Sequence, residues 1–340
     1  MELTLRELKQ WRLWAQHLTE KVPAPQAAGD LCGLQAQYGA NALHSLRIRA
    51  ENIAVSEFVK AWALRGTLHL FPAKDLPLYL PHAPVEGIFD TPYGRWLYDG
   101  HCQVPRERML FFARAVADAL SDEPLPRDAL KDLCRAKGMT AEEEERVFSG
   151  WGGVIRLLAE CGLLCVSAQV NRAYIRAPEL PALPREQAAQ ELLRRYVTHY
   201  GPVTLRDMAY FFRWPQRELK DLLSRLPVQT VFCQGRAYYY LVKPEALPPL
   251  PRCIFLAGFD PLMLGYEKTE NPFLPPEHLK KVFNNTGIVF PTLLLDGKVL
   301  GKWKEQDKSI ALTAFENWNK TQTAAVKKTA RTLWPDKPVK

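Results

Sequence analysis

One order of elements, written three times, limits the folds open to this chain more than any other feature: three stretches of helical periodicity, then a short strand pair. Leu5, Leu8, Trp11, Ala15 and Leu18 share a helical face, and Pro23 and Pro25 mark its exit. Residues 26–37 read as a second helix broken at Tyr38-Gly39. Residues 55–64 read as a third, with Ser56 at its N-cap, before a strand over 67–71. The order returns in helices over 106–120, 126–137 and 146–161, the last with Trp151 and Ile155 inward, and in a hairpin over 163–175 whose tip is 167–172. It returns again in helices over 185–200, 204–212 and 216–226 and a hairpin over 228–242 turning at Gln234-Gly235-Arg236.

Three helices and a strand pair are the plan of a winged helix, whose third helix lies along a DNA groove with the hairpin beside it. The proline-rich run 244–251 cannot continue a helix and leads to a different kind of unit. Strand signals follow over 253–256, 288–295 and 298–303, with Asp296-Gly297 as a type I′ hairpin turn. Residues 309–333 read as a closing helix with a basic end (Lys320, Lys327, Lys328, Arg331), a common form for a solvated face. The expected class is α+β. Tandem winged-helix (helix-turn-helix) motifs occupy residues 1–100, 101–180 and 181–245, and a C-terminal small β barrel with a terminal helix occupies 246–340.

A formal charge of +8 over 340 residues favours a polyanionic partner. Hydrophobic residues at 47% and charged residues at 24% fit a folded chain and exclude a largely disordered one. The seven cysteines form no CxxC pair, so neither a disulfide framework nor a structural zinc site is expected. No stretch approaches the ~18 apolar residues of a membrane span, and the N-terminus is amphipathic rather than a signal peptide; a cytoplasmic location follows. GxGxxG, GxSxG, HExxH and GxxxxGK[ST] are absent, which leaves nucleotide-cofactor, serine-hydrolase, zincin and P-loop chemistries without an anchor. No metal and no cofactor is expected.

Residues 31–70 concentrate the chemistry. Gln35 and Gln37 stand beside a basic strip, His44, Arg47 and Arg49, in which the arginines alternate with Leu46 and Ile48 as on a strand with one face toward phosphate. The string Arg65-Gly66-Thr67-Leu68-His69 follows. Residues two apart face one way in an extended segment but point ~200° apart on a helix, so the glutamines converge only if the helix ends or distorts there. Asp260 could act as a carboxylate for catalysis, but an Asp before a Pro commonly forms a turn, and the structural role is favoured.

Gln35-Ala36-Gln37, Arg65-Gly66-Thr67-Leu68-His69, Gly258-Phe259-Asp260-Pro261-Leu262 and the string Pro291-Thr292-Leu293-Leu294-Leu295-Asp296-Gly297 occur in that order over nearly the whole chain. Together they resemble the winged-helix DNA glycosylases of the AlkZ and YcaQ type. The resemblance implies a basic concave scaffold and excision of alkylated purines from double-stranded DNA, in some members including bases joined by interstrand crosslinks. It also implies a monomer and assigns Gln35 and Gln37 as the catalytic pair. The middle residue of that motif, commonly bulkier and apolar, is Ala36 here. An N3- or N7-alkylated purine is already cationic and leaves readily, so a neutral amide that orients water can suffice. Candidate DNA contacts are His44, Arg47, Arg49, Arg65, Thr67, His69 and the hairpin tips with Arg172 and Arg236. The rival is a winged-helix regulator that binds DNA without chemistry, which has no use for the glutamine pair.

Overall fold

A computed structural model describes residues 1–150 and 152–339, so the inward placement expected of Trp151 lies outside the described residues. The chain divides into two compact units: Met1–Ile53 together with Gln190–Lys340, and the contiguous Ala54–Ala189. The expected fourfold division follows motifs, whereas this one follows shared cores.

The third helical run forms where periodicity puts it, and so does the second except that the helix expected over 146–161 shortens to Gly153–Glu160, with residues 146 and 147 ending a separate helix. Helices Arg106–Ala119, Arg127–Ala136 and Gly153–Glu160 precede the antiparallel strands Leu164–Ser167 and Ala173–Arg176. A short additional helix, Ala141–Val147, opens with a reciprocal cap between Thr140 and Glu143. Phe112, Val116, Leu130, Leu157 and Leu158 lie in one buried core. Helices Arg185–His199, Leu205–Phe212 and Gln216–Ser224 precede the hairpin Gln229–Cys233 and Arg236–Tyr240, whose turn holds Gln234 and Gly235 at positive φ.

The first run keeps the order and changes the residues that supply it. Its second helix is Ala24–Asp30, its third is Gly39–Arg47, and the helix expected over 55–64 is replaced by the strand Phe58–Trp62. Ten residues are too few to hold a helix unaided, and Phe58, Val59 and Trp62 suit a pleated surface. That strand pairs antiparallel with Leu68–Pro72 and, through Val59 and Lys60, with Leu164–Ser167. Two hairpins thus share a sheet within the contiguous unit.

The C-terminal strands Cys253–Leu256, Thr292–Leu295, Lys298–Gln306 and Ser309–Ala314 form an antiparallel sheet in chain order. Its outer strands do not pair among the described residues, so the expected barrel is an open sheet. The expected long closing helix is also divided. Residues 309–314 supply the fourth strand, and the helix is Lys320–Leu333, capped by Asn319. Val326, Ala330 and Trp334 cover Phe255, Leu293 and Trp303. No helix among the described residues is long and apolar enough to cross a membrane.

Candidate active site

The glutamine pair is placed by a helix that stops early. After Ala24–Asp30, Cys32 (φ 56°) and Gly33 (φ 78°) enter the left-handed region. Cys32 N–H donates to the Gly29 carbonyl (3.1 Å) and Gly33 N–H to that of Ala28 (2.8 Å), a pairing that closes helix C-termini. Gly33 is the stop signal that the apolar spacing of residues 26–37 conceals. The chain leaves as the strand Leu34–Gln35 and turns helical again at Gly39. In this extended passage side chains alternate: Leu34 and Ala36 point into the core, Gln35 is half-buried and Gln37 exposed. The two amides therefore share a face, and Gln35 Nε2 donates to Gln37 Oε1 at 3.3 Å. Ala36, 2% exposed, fixes the passage to the core beneath them.

Tyr38, 54% exposed, stacks on Phe259 with ring centroids 5.7 Å apart and planes 16° apart. Phe259 itself is held at φ 57°, and a Cβ on the neighbouring Gly258 would lie 2.7 Å from Asn41 Nδ2, so the loop packs closely on the Asn41 side chain of the helix Gly39–Arg47. Asp260 fastens that loop. Its carboxylate accepts from Arg49 Nη1 (3.0 Å), Arg49 Nη2 (2.6 Å) and the Leu262 backbone N–H (2.9 Å), and neither charged side chain is exposed. Asp260 is thus a structural residue, as its place before proline suggests.

The expected basic strand does not exist, because residues 46 and 47 end a helix and Arg49 turns inward. Besides Asp260, Arg49 donates to the Gln16 and Ser45 carbonyls. A fully enclosed guanidinium has no surface to offer phosphate, which removes Arg49 from the DNA contacts. His44 bonds the Phe255 carbonyl (2.7 Å) and stacks on Trp334 (5.5 Å, 2°), and burial lowers its pKa. Arg47 is exposed; its guanidinium donates to the Leu333 carbonyl and lies 6.0 Å from the Trp334 ring. Beside it the terminal helix exposes Lys327, Lys328 and Arg331 around an open concavity of about 500 Å³. This cationic face reads in the sequence as ordinary solvation; its signal is the Lys327 to Arg331 spacing of one helical turn.

In the contiguous unit, Arg65 and Gly66 form a tight turn at positive φ, closed by Ala63 N–H donating to the Thr67 carbonyl (3.1 Å). Thr67 Oγ1 donates to the Leu64 carbonyl (3.2 Å). His69 is buried, with Nδ1 at 2.9 Å from the Thr67 carbonyl, and burial pushes its pKa down to about 3. Its imidazole is a neutral core group rather than a DNA contact. Arg172 is exposed at one hairpin tip. Arg236 is exposed at the other, but Glu270 pairs with it at 3.1 Å and also bonds Arg206.

Proteins of known kind are similar to this chain over nearly its whole length. The solved structure of DNA glycosylase AlkZ from Streptomyces sahachiroi matches with a TM-score of 0.79 and 26% identity, covering 100% of both chains. An interstrand DNA cross-link repair glycosylase from the same organism is 28% identical over 97% of this chain and 95% of its own length. The family model described as DNA glycosylase AlkZ-like matches residues 28–334. The chain belongs to the AlkZ-like DNA glycosylase family.

Proposed function

We propose that this protein hydrolyses the N-glycosidic bond of N3- or N7-alkylated purines in double-stranded DNA, with Gln35 and Gln37 positioning the water, and acts as a monofunctional monomer. The observation that carries the reading is the amide pair on one face of an extended segment, bonded edge to edge at 3.3 Å. In that bond Gln35 uses an N–H and Gln37 its carbonyl. Gln35 Oε1 and the Gln37 amide N–H groups can then accept from and donate to one water. The water oxygen attacks C1′ as the C1′–N bond breaks, the departing base keeps the bonding electrons and loses its positive charge, and the proton goes to solvent. The cationic leaving group makes a carboxylate base dispensable.

The helix Gly39–Arg47 carries the substrate register. Eight residue steps at ~1.5 Å set Arg47 about 12 Å along the axis from Gly39, between three and four nucleotide rises. Arg47 with Lys327, Lys328 and Arg331 forms the phosphate track, and the three helix–hairpin runs act as tandem winged helices with Arg172 at one wing tip. Unhooking of interstrand crosslinks belongs to the same reading, supported by the repair role in the relative's name. A purine tied to the opposite strand cannot be rotated into a closed pocket, and an exposed Gln37 suits a target left in the duplex.

Defined duplexes carrying N7-methylguanine, N3-methyladenine or a nitrogen-mustard crosslink, incubated with wild type and Gln37→Ala, test the proposal. Free base and abasic sites form with wild type and fall steeply with the variant. Binding without base release by wild type would leave only the regulator.

A further inference from the structure

A group of side chains outside the glutamine site has the composition of a metal centre. His17, Asp30 and His199 come from three places in the sequence, and one ligand atom from each lies within 4.8 Å of the others. Asp30 stands between the imidazoles, with Oδ2 at 2.9 Å from His17 Nε2 and Oδ1 at 3.3 Å from His199 Nε2. We propose that His17, Asp30 and His199 bind one divalent transition-metal ion of the Zn²⁺ class, with an open coordination position facing the adjoining cavity.

Two imidazoles and one carboxylate are a donor set for Zn²⁺ and its neighbours, which favour nitrogen with some oxygen and leave the oxygen-only sites to Mg²⁺ and Ca²⁺. Bonds of about 2.0–2.1 Å put tetrahedral donors about 3.3 Å apart, so the widest pair has to close by no more than about 1.5 Å. His17 is fixed by its backbone. It sits at φ 56° just past the helix Leu5–Ala15, its N–H donating to the Trp14 carbonyl. All three residues are partly exposed, and both histidines line a cavity of about 210 Å³ with Trp14, Glu20, Val22 and Val242, room for a water ligand. The spacing 17, 30, 199 matches no contiguous metal motif, which is why the sequence does not announce it.

Asp30 ends the helix Ala24–Asp30, five residues before Gln35. An ion held there ties the close of that helix to the ends of Leu5–Ala15 and Arg185–His199, and so braces the extended passage from behind. Excision by the amides needs no metal, so this inference and the proposed function fail independently.

The test uses tag-free full-length protein stripped with chelator, titrated with ZnCl₂ by calorimetry and with Co²⁺ by visible absorption. Wild type is expected to bind one equivalent, to show the spectrum of low-coordinate Co²⁺ with nitrogen and oxygen ligands, and to melt higher with Zn²⁺. His17→Gln and His199→Gln keep an N–H for Asp30 and should melt like wild type in chelator, yet each should bind at least tenfold more weakly. Three results would overturn the inference: no stoichiometric binding by wild type, equal binding by both variants, or thiolate-to-cobalt absorption pointing to the cysteines.

Discussion

The helix Gly39–Arg47 has polar groups of opposite kind at its two ends. Before its start, Gln35 and Gln37 are neutral, reach solvent and bond each other, while only Ala36 between them is fixed in the core. Just past its end, Arg49 and Asp260 are charged, fully enclosed and committed to one another. The difference teaches that charge here serves construction and, on the proposed function, neutrality serves chemistry, the reverse of a first guess from residue type. The two places should respond to mutation in opposite ways.

Arg49→Ala should have the largest effect, a loss of about 3–5 kcal/mol in denaturant unfolding, because it leaves the Asp260 carboxylate buried without its partner. A stable Arg49→Ala protein with weakened DNA binding would break the comparison. Gln37→Ala should do the converse. Single-turnover excision drops by about 10²-fold or more, while stability stays within about 0.5 kcal/mol. Acid sharpens the contrast further. The His69 pKa is depressed in the fold, so its contribution to stability is complete above the unfolded value near 6.5 and is lost as pH falls toward 3, by up to about 1.4 kcal/mol per pH unit. Unfolding measured between pH 7 and 4 should show that loss, whereas excision between pH 6 and 8 should stay flat, since amides do not titrate. A carboxylate-like midpoint in the excision rate would remove the glutamines from the chemistry. Arg47→Ala should be the mildest, lowering DNA affinity evenly across sequences and reducing the salt slope by about one, with little change in melting.

Legibility in the sequence varied with how locally each element is specified. The helices at 106–119 and 185–199 repeat an apolar face over four turns, and Gly235 and Asp296-Gly297 spell their turns, so these regions fold as periodicity and turn chemistry predict. The segment 26–64 resists the same treatment. Its helix stop rests on Cys32 as well as Gly33 in a left-handed conformation, which sequence rarely reveals for a cysteine, and Phe58–Trp62 becomes a strand because the nearby Leu68–Pro72 and the distant Leu164–Ser167 complete its ladder. The glutamines were visible as residues, but their convergence was not, since it depends on that concealed stop. Arg49 misled because an alternating pattern cannot tell a strand facing phosphate from a helix end turned toward a distant aspartate.

The division of the chain has a consequence for how it is made. Ala54–Ala189 is continuous and can complete its interior while the ribosome is still translating the C-terminal residues. Met1–Ile53, which holds both glutamines, must wait: Arg49 lacks Asp260, and His44 lacks Trp334, until nearly the whole polypeptide has emerged. The segment that holds the proposed catalytic pair is therefore the first part synthesised and among the last to reach its final packing. A fragment of residues 54–189 should melt cooperatively by itself, and one of residues 1–53 should not.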